Sequence, residues 1–264
     1  MPVADVAADL RAEQAALDEV VAALTDAQWA TPTPSPGWTV ADQIAHLTFF
    51  DDTAATAIED PERFQAETAA LFEQMLGGDT DMDGATLTWS RGLSPAELLD
   101  RWRANRERLA TAAAGLADDA RVPWYGPPMG GDAFLAARLM ECWAHGQEVV
   151  DAVDAQRPVT DRLRHIAHMG VITRSWSYRN RGLDAPGGKI LVELTAPSGE
   201  TWTWNDDATD GAVRGPAEDF CLVVTQRRHV DDTALTTDGD LARRWMEIAQ
   251  AFAGEATDGP APTV

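Results

Sequence analysis

From Val3 to Ala155, apolar residues return at steps of three, four and seven, and each break in the rhythm is a short Pro-, Gly- or polar-rich stretch. A chain with this pattern must bury several amphipathic helices against one another. Val3, Val6, Leu10, Leu17, Val20, Val21 and Leu24 mark the first helix, ending near Leu24. Thr31-Pro-Thr-Pro-Ser-Pro-Gly37 stops it, because three prolines remove donors and force an extended path. This stretch is too short to link domains and reads as an ordered connection. Thr39 then caps a helix with Asp42 at its third position, running to about Glu59. Asp60-Pro61 opens a shorter piece to about Leu76, and a polar loop follows from Gly77-Gly78-Asp79 to Gly84. Ser94-Pro95-Ala96-Glu97 starts a strong helix that ends near Leu116. A loop of turn formers and aromatics, Pro123 to Gly131, precedes the last helix, from about Asp132 to Ala155. Four long helices with one odd shorter piece predict a four-helix bundle.

The pattern changes near Arg157–Thr160. One helix is expected from Thr160 to about Asn180, and strands at Lys189–Thr195 and Glu200–Trp204, joined by Ala196-Pro-Ser-Gly199. Trp202 and Trp204 share a face at period two. A short strand at Ala212–Arg214, a helix from Gly215-Pro216 to about Arg228, a strand near Thr233–Thr237 and a helix Asp238–Phe252 complete an α+β half. The expected organisation is a bundle over 1–157, an α+β domain over 158–253 and a flexible tail over 254–264.

Formal net charge is −22, so the surface repels phosphate backbones and nucleic acid is not an expected partner. No run of 18 apolar residues appears, so no membrane span is expected. The start, Met-Pro-Val-Ala-Asp-Val, has neither the basic nor the apolar region of a secretory signal. Cys142 and Cys221 are too few for a disulfide framework, and a reduced cytoplasm is the expected location.

Chemistry concentrates in Arg138-Leu-Met-Glu-Cys-Trp-Ala-His-Gly-Gln-Glu148. Glu141 and His145 stand just over one turn apart, so both side chains leave one helix face and can share a divalent cation. A zinc site that does chemistry takes three protein ligands and keeps one position open. His46, mid-helix in the same half, is the best third ligand among the five histidines. Two imidazoles and a carboxylate suit Zn2+, and also Ni2+, Fe2+ or Mn2+. Glu148 shares the Glu141–His145 face and can orient a ligand histidine or act as a base. Cys142 points about 100° away and is not counted as a ligand. His165 and His168 are three residues apart and can also edge a metal, although a surface or interdomain role is the preferred reading.

Gly37-Trp-Thr-Val-Ala-Asp-Gln-Ile-Ala-His-Leu47 resembles the Gly-Trp-Ser/Thr-Val-x-Asp-x-x-x-His-Leu signature of the DinB-like superfamily, and Glu141-x-x-x-His145 matches its other ligands. The order of the two halves is similar to mycothiol-dependent maleylpyruvate isomerases, over about residues 5–253. The resemblance implies a DinB-like four-helix bundle followed by a sterol-carrier-protein-like α+β domain, with zinc on His46, Glu141 and His145. Gly215-Pro-Ala-Glu-Asp-Phe-Cys-Leu-Val-Val-Thr-Gln-Arg227 follows the family's second-domain outline, although Thr225-Gln226 stand where Trp-Gly is usual. The isomerase's important arginine therefore maps to Arg227, with Arg228 as a rival for holding a carboxylate of substrate or cofactor. What the resemblance implies is a metal-activated small thiol, mycothiol, used for isomerisation or S-transfer on an electrophilic small molecule. The expected partner is a small-molecule substrate, and the expected state a monomer or homodimer. A thiol-independent hydrolase, lyase or tailoring enzyme, or a non-catalytic binding protein, stays open beside it.

Overall fold

The periodic stretches of the first half become long helices, and the cap residues decide where each begins. In the computed structural model, which describes residues 1–78 and 80–263, the chain forms two compact units, Met1–Arg157 and Pro158–Val264. The first contains α1 (Val3–Ala22), α2 (Asp26–Trp29), α3 (Val40–Glu59), α4 (Pro61–Gly77), α5 (Met82–Leu87), α6 (Pro95–Ala113), the two-residue strands β1 (Arg121–Val122) and β2 (Met129–Gly130), and α7 (Gly131–Val153). α1 and α3 each pack against both α6 and α7, while α4 lies along α3. Leu17, Val21, Ile44, Leu47, Trp102 and Val149 fill the space between the four bundle helices.

Thr39 accepts from the Asp42 amide while Asp42 accepts from the Thr39 amide at 2.9 Å, a reciprocal box that starts α3. Ser94 and Glu97 do the same for α6, with Pro95 at its first position, and Asp60 caps α4. Each cap is worth about 1 kcal/mol. The proline-rich connection before α3 is ordered into a narrow loop. The Thr33 amide donates to the Trp38 carbonyl at 2.8 Å, and the Val40 amide to Thr31 at 3.0 Å. Gly37 turns this loop at φ 80°, where its lack of Cβ removes the left-handed penalty.

Some expectations need correction. The first helix stops at Ala22, not Leu24, because Thr25 and Gln28 form their own capping box and start α2. The polar loop expected over 77–84 includes Asp79, outside the described residues; within it Asp81 caps α5, which continues as a 3-10 turn over Thr88–Ser90. β1 and β2 pair as an antiparallel hairpin that holds the aromatic loop between them.

The second unit contains α8 (Leu163–Ile172), α9 (Arg174–Arg179), β3 (Leu191–Thr195), β4 (Thr201–Trp204), β5 (Ala212–Pro216), α10 (Ala217–Val224), β6 (Thr236–Asp238) and α11 (Asp240–Ile248). Its sheet has the order β4-β3-β5-β6, with β3 parallel to β5 and antiparallel to β4. Val192, Leu194 and Trp202 are buried, as alternation requires. The single helix expected over 160–180 is two helices, broken at Thr173, whose hydroxyl donates to the Met169 carbonyl at 2.7 Å and competes with the helix ladder. The helix expected to reach Arg228 ends at Val224, and Gln226 turns the chain at φ 58°. α11 stops at Ile248 because Ala249 is extended, at ψ 133°. Residues 254–263 form neither helix nor strand, yet the Thr263 amide donates to Asp232 at 3.0 Å. No helix among the described residues is long and apolar enough to cross a membrane.

Candidate metal centre

α3 supplies His46 and α7 supplies Glu141 and His145, and the packing of these two helices brings the three side chains together. One ligand atom from each lies within 4.8 Å of the others, the one such group of three among the described residues. Glu141 Oε2 is 3.2 Å from His145 Nε2 and 3.7 Å from His46 Nε2. Those two edges bracket the separation of about 3.4 Å expected between donors of a tetrahedral zinc. The side chains of His46, Glu141 and His145 keep 14%, 24% and 12% of their surface, so the cluster is recessed but reachable from solvent.

Burial and neighbouring charges set the ionisation of the cluster. Burial pushes the Glu141 carboxyl up, but His145, His46 and the Arg138 charge together outweigh it and leave it well below the usual range. Burial, with the neighbouring His145 and Arg138 charges, lowers His46 to about 4 against the pull of Glu141. At neutral pH this is a carboxylate beside a neutral imidazole with a lone pair to give. Cys142 belongs to the apolar core instead, and burial holds its thiol well above the ordinary value.

An outer ring of contacts surrounds the three. His145 Nδ1 lies 2.5 Å from Gln43 Oε1. Gln43 Nε2 donates to Glu148 at 2.6 Å and to Thr33 Oγ1 at 2.9 Å, and the Ser35 amide donates to Glu148 at 3.2 Å. The Trp38 ring stacks on His145 at 5.9 Å and 15°. Phe50 stands 4.6 Å from the His46 ring. Arg138 is buried, with Nη2 3.8 Å from Glu141 Oε2, its guanidinium over Phe50 and Trp124, and Nη1 without a hydrogen-bond partner.

Glu148 contacts Gln43, whose other end faces His145. Arg227 and Arg228 lie in the second unit just after α10, where each guanidinium donates to a nearby carbonyl, Thr225 and Arg227 respectively. His165 is buried on α8, and His168 accepts the Trp204 indole N–H at 3.2 Å; neither joins a metal-ligating group among the described residues. Gln43, Thr33 and Phe50 were not among the site residues expected from the sequence. The available signal was Gln43 itself, an amide one turn before His46 on an otherwise apolar helix face.

A cavity of about 490 Å³ follows α3 away from the cluster. Phe49 and Thr53 line it, three and seven residues after His46 and hence on the same helix side, with Phe64, Arg101, Asn105 and Tyr125 opposite.

Residues 10–150, more than half of the chain, match the family described as the mycothiol maleylpyruvate isomerase N-terminal domain. The chain belongs to this family. The match covers nearly all of the first unit, including His46, Glu141 and His145. Two relatives extend beyond it: uncharacterised proteins of Mycobacterium tuberculosis, strains CDC 1551 / Oshkosh and ATCC 25618 / H37Rv, each 47% identical over 247 residues, covering 94% of this chain and 95% of the relative. Among solved structures, the crystal structure of the mycothiol-dependent maleylpyruvate isomerase and that of a histidine-to-alanine mutant of it align with TM-scores of 0.56 and 0.57 at 15% identity. Each alignment covers 90% of this chain and 93% of the other, which establishes the shared fold across both units.

Proposed function

We propose that this family member is a metal-dependent enzyme that uses a zinc-activated small thiol of the mycothiol type for isomerisation or S-transfer on an electrophilic small molecule. The observation that carries the reading is the meeting of His46, Glu141 and His145, from sequence positions nearly 100 residues apart, within 4.8 Å. Three donors of mixed imidazole and carboxylate type, partly exposed, fit a cation that keeps a position for a guest. A divalent cation held there supplies the Lewis acidity that keeps a thiol deprotonated at neutral pH.

The chain's own residues provide the rest. His46 stays neutral and offers its lone pair. Glu141 contributes the negative charge. Phe50 and Trp38 flank the imidazoles and limit water on the apolar side. Arg138 places a fixed positive charge beside Glu141, which favours an anionic guest on an otherwise acidic protein. The cavity beyond Phe49 has the size and the mixture of aromatic and polar lining that suit the organic part of a substrate or cofactor. Arg227 and Arg228 are proposed as carboxylate-binding residues on family resemblance alone.

Elemental analysis of the purified protein, followed by calorimetry with mycothiol, tests the reading. Mycothiol is expected to bind the metal-loaded protein and not the His46→Ala variant, and glutathione to bind more weakly. A metal-loaded protein indifferent to every small thiol would leave a thiol-independent metal enzyme or a binding protein in its place.

A further inference from the structure

The hydrogen bonds behind His145 run in one direction, and the direction can be read without placing a single hydrogen by assumption. Thr33 Oγ1 lies 3.1 Å from the Trp38 carbonyl, which can only accept, so the hydroxyl proton goes there. Thr33 Oγ1 is therefore an acceptor toward Gln43, and the Gln43 atom 2.9 Å away must be the amide nitrogen. The same nitrogen faces the Glu148 carboxylate at 2.6 Å, an independent requirement with the same answer. The two ends of this amide, whose assignment is usually open, are thus settled twice. Its oxygen is left facing His145 Nδ1 at 2.5 Å, and a carbonyl oxygen demands a proton on that nitrogen.

We infer that Gln43 is a positioning residue that holds the proton of His145 on Nδ1 and so reserves Nε2 for the metal. This deepens the metal-dependent reading above and rests on it. With the proton on Nδ1 facing Gln43, the lone pair of Nε2 points to the side of Glu141, where the cation would sit. His46 has no such partner, since its Nδ1 is buried without a hydrogen bond. The two ligand imidazoles are therefore unequal, and His145 is the pre-oriented one.

The arrangement also gives the proline-rich connection a task. Thr33 and the Ser35 amide both come from the loop Thr31–Gly37, and both end on the Gln43–Glu148 pair. Gln43 is fully buried and Glu148 nearly so, so water cannot easily replace either contact. The loop and Glu148 thus meet the metal site at Gln43.

The test uses the full chain and zinc. In the zinc-loaded wild-type protein, nitrogen NMR of His145 should show Nε2 as the metal-bound atom and Nδ1–H as a slowly exchanging proton. Gln43→Met keeps the volume but removes the acceptor, and should raise the zinc dissociation constant roughly 10–100-fold, the range for lost outer-shell partners. The Nδ1–H signal should at the same time exchange too fast to be seen. Zinc affinity of Gln43→Met within about threefold of wild type, or ligation of His145 through Nδ1, overturns the inference while the metal reading stands. If Gln43→Met does not fold, the wild-type spectrum alone decides. A wild-type protein that binds no zinc overturns the metal reading itself, and the inference with it.

Discussion

Asp51 accepts the indole N–H of Trp102 at 3.2 Å and the amide of Gln14 at 2.9 Å on the same carboxylate oxygen, inside the bundle. Burial raises its pKa to about 6, against the lowering pull of Arg138, Trp102, Arg106 and Gln14. The folded state then binds more protons than the unfolded one between the ordinary 3.8 and about 6, so this group makes stability fall as pH rises through that window. His46 does the opposite. Its folded pKa of about 4 lies below the ordinary 6.5, so stability rises with pH across nearly the same range. In metal-free protein the two contributions therefore oppose one another across the shared window. Asp51→Asn should remove the opposing contribution, giving a variant whose stability climbs more steeply with pH than that of wild type between pH 4 and 6.5. Denaturant titrations across that range with a chelator present check this, and parallel profiles for the two proteins would refute it.

If the proposed metal site is right, alanine at His46, Glu141 or His145 should each abolish metal loading while leaving the bundle folded. Losing a direct ligand is expected to weaken zinc by more than about 100-fold, beyond the outer-shell range. Metal content by elemental analysis, read beside far-ultraviolet circular dichroism, separates this from unfolding. Full metal retention in a folded His46→Ala protein would show that the ligand set is wrong.

Gly146 stands inside α7 against Arg157, where an added Cβ would come within 2.6 Å of a guanidinium nitrogen and 3.3 Å of Leu17. Arg157 also makes a buried ion pair with Glu13 at 3.2 Å and donates to the Trp143 carbonyl at 2.8 Å. Gly146→Ala gains about 1 kcal/mol of helix propensity. Displacing the guanidinium from a buried carboxylate costs about 3–5 kcal/mol if the pair is broken. The net expectation is destabilisation by roughly 1–3 kcal/mol, the guanidinium shifting rather than leaving. A higher melting temperature for Gly146→Ala would contradict it.

Thr53→Trp should fill the cavity along α3. Metal content should stay at the wild-type level, since Thr53 is two turns from His46, while binding of mycothiol and turnover of any electrophile fall at least about tenfold, or roughly 1.4 kcal/mol. Unchanged thiol binding in the zinc-loaded variant would mean that the cavity serves some other ligand or none.

The helices of the first unit were legible because three kinds of local signal agree there. Periodicity marks the buried face, Thr39, Asp60 and Ser94 mark the starts, and prolines mark the first positions. The short elements were less so. α2 and α5 have few residues over which a period can repeat, and the break at Thr173 comes from a hydroxyl–carbonyl contact rather than from a helix breaker.

By itself, the amino-acid order determined which residues could share a metal, because an i, i+4 pair on a helix meets wherever that helix ends up. It also determined His46 as the candidate partner, through the motif around it. Only the tertiary structure decided that Glu148 reaches His145 through Gln43, that Thr33 and Ser35 close on the same pair, and that Asp51 is buried against Trp102. Those contacts join residues up to 113 positions apart. Their geometry depends on how α3, α6 and α7 settle against one another, and side-chain packing across helices leaves no periodic trace in any single one of them.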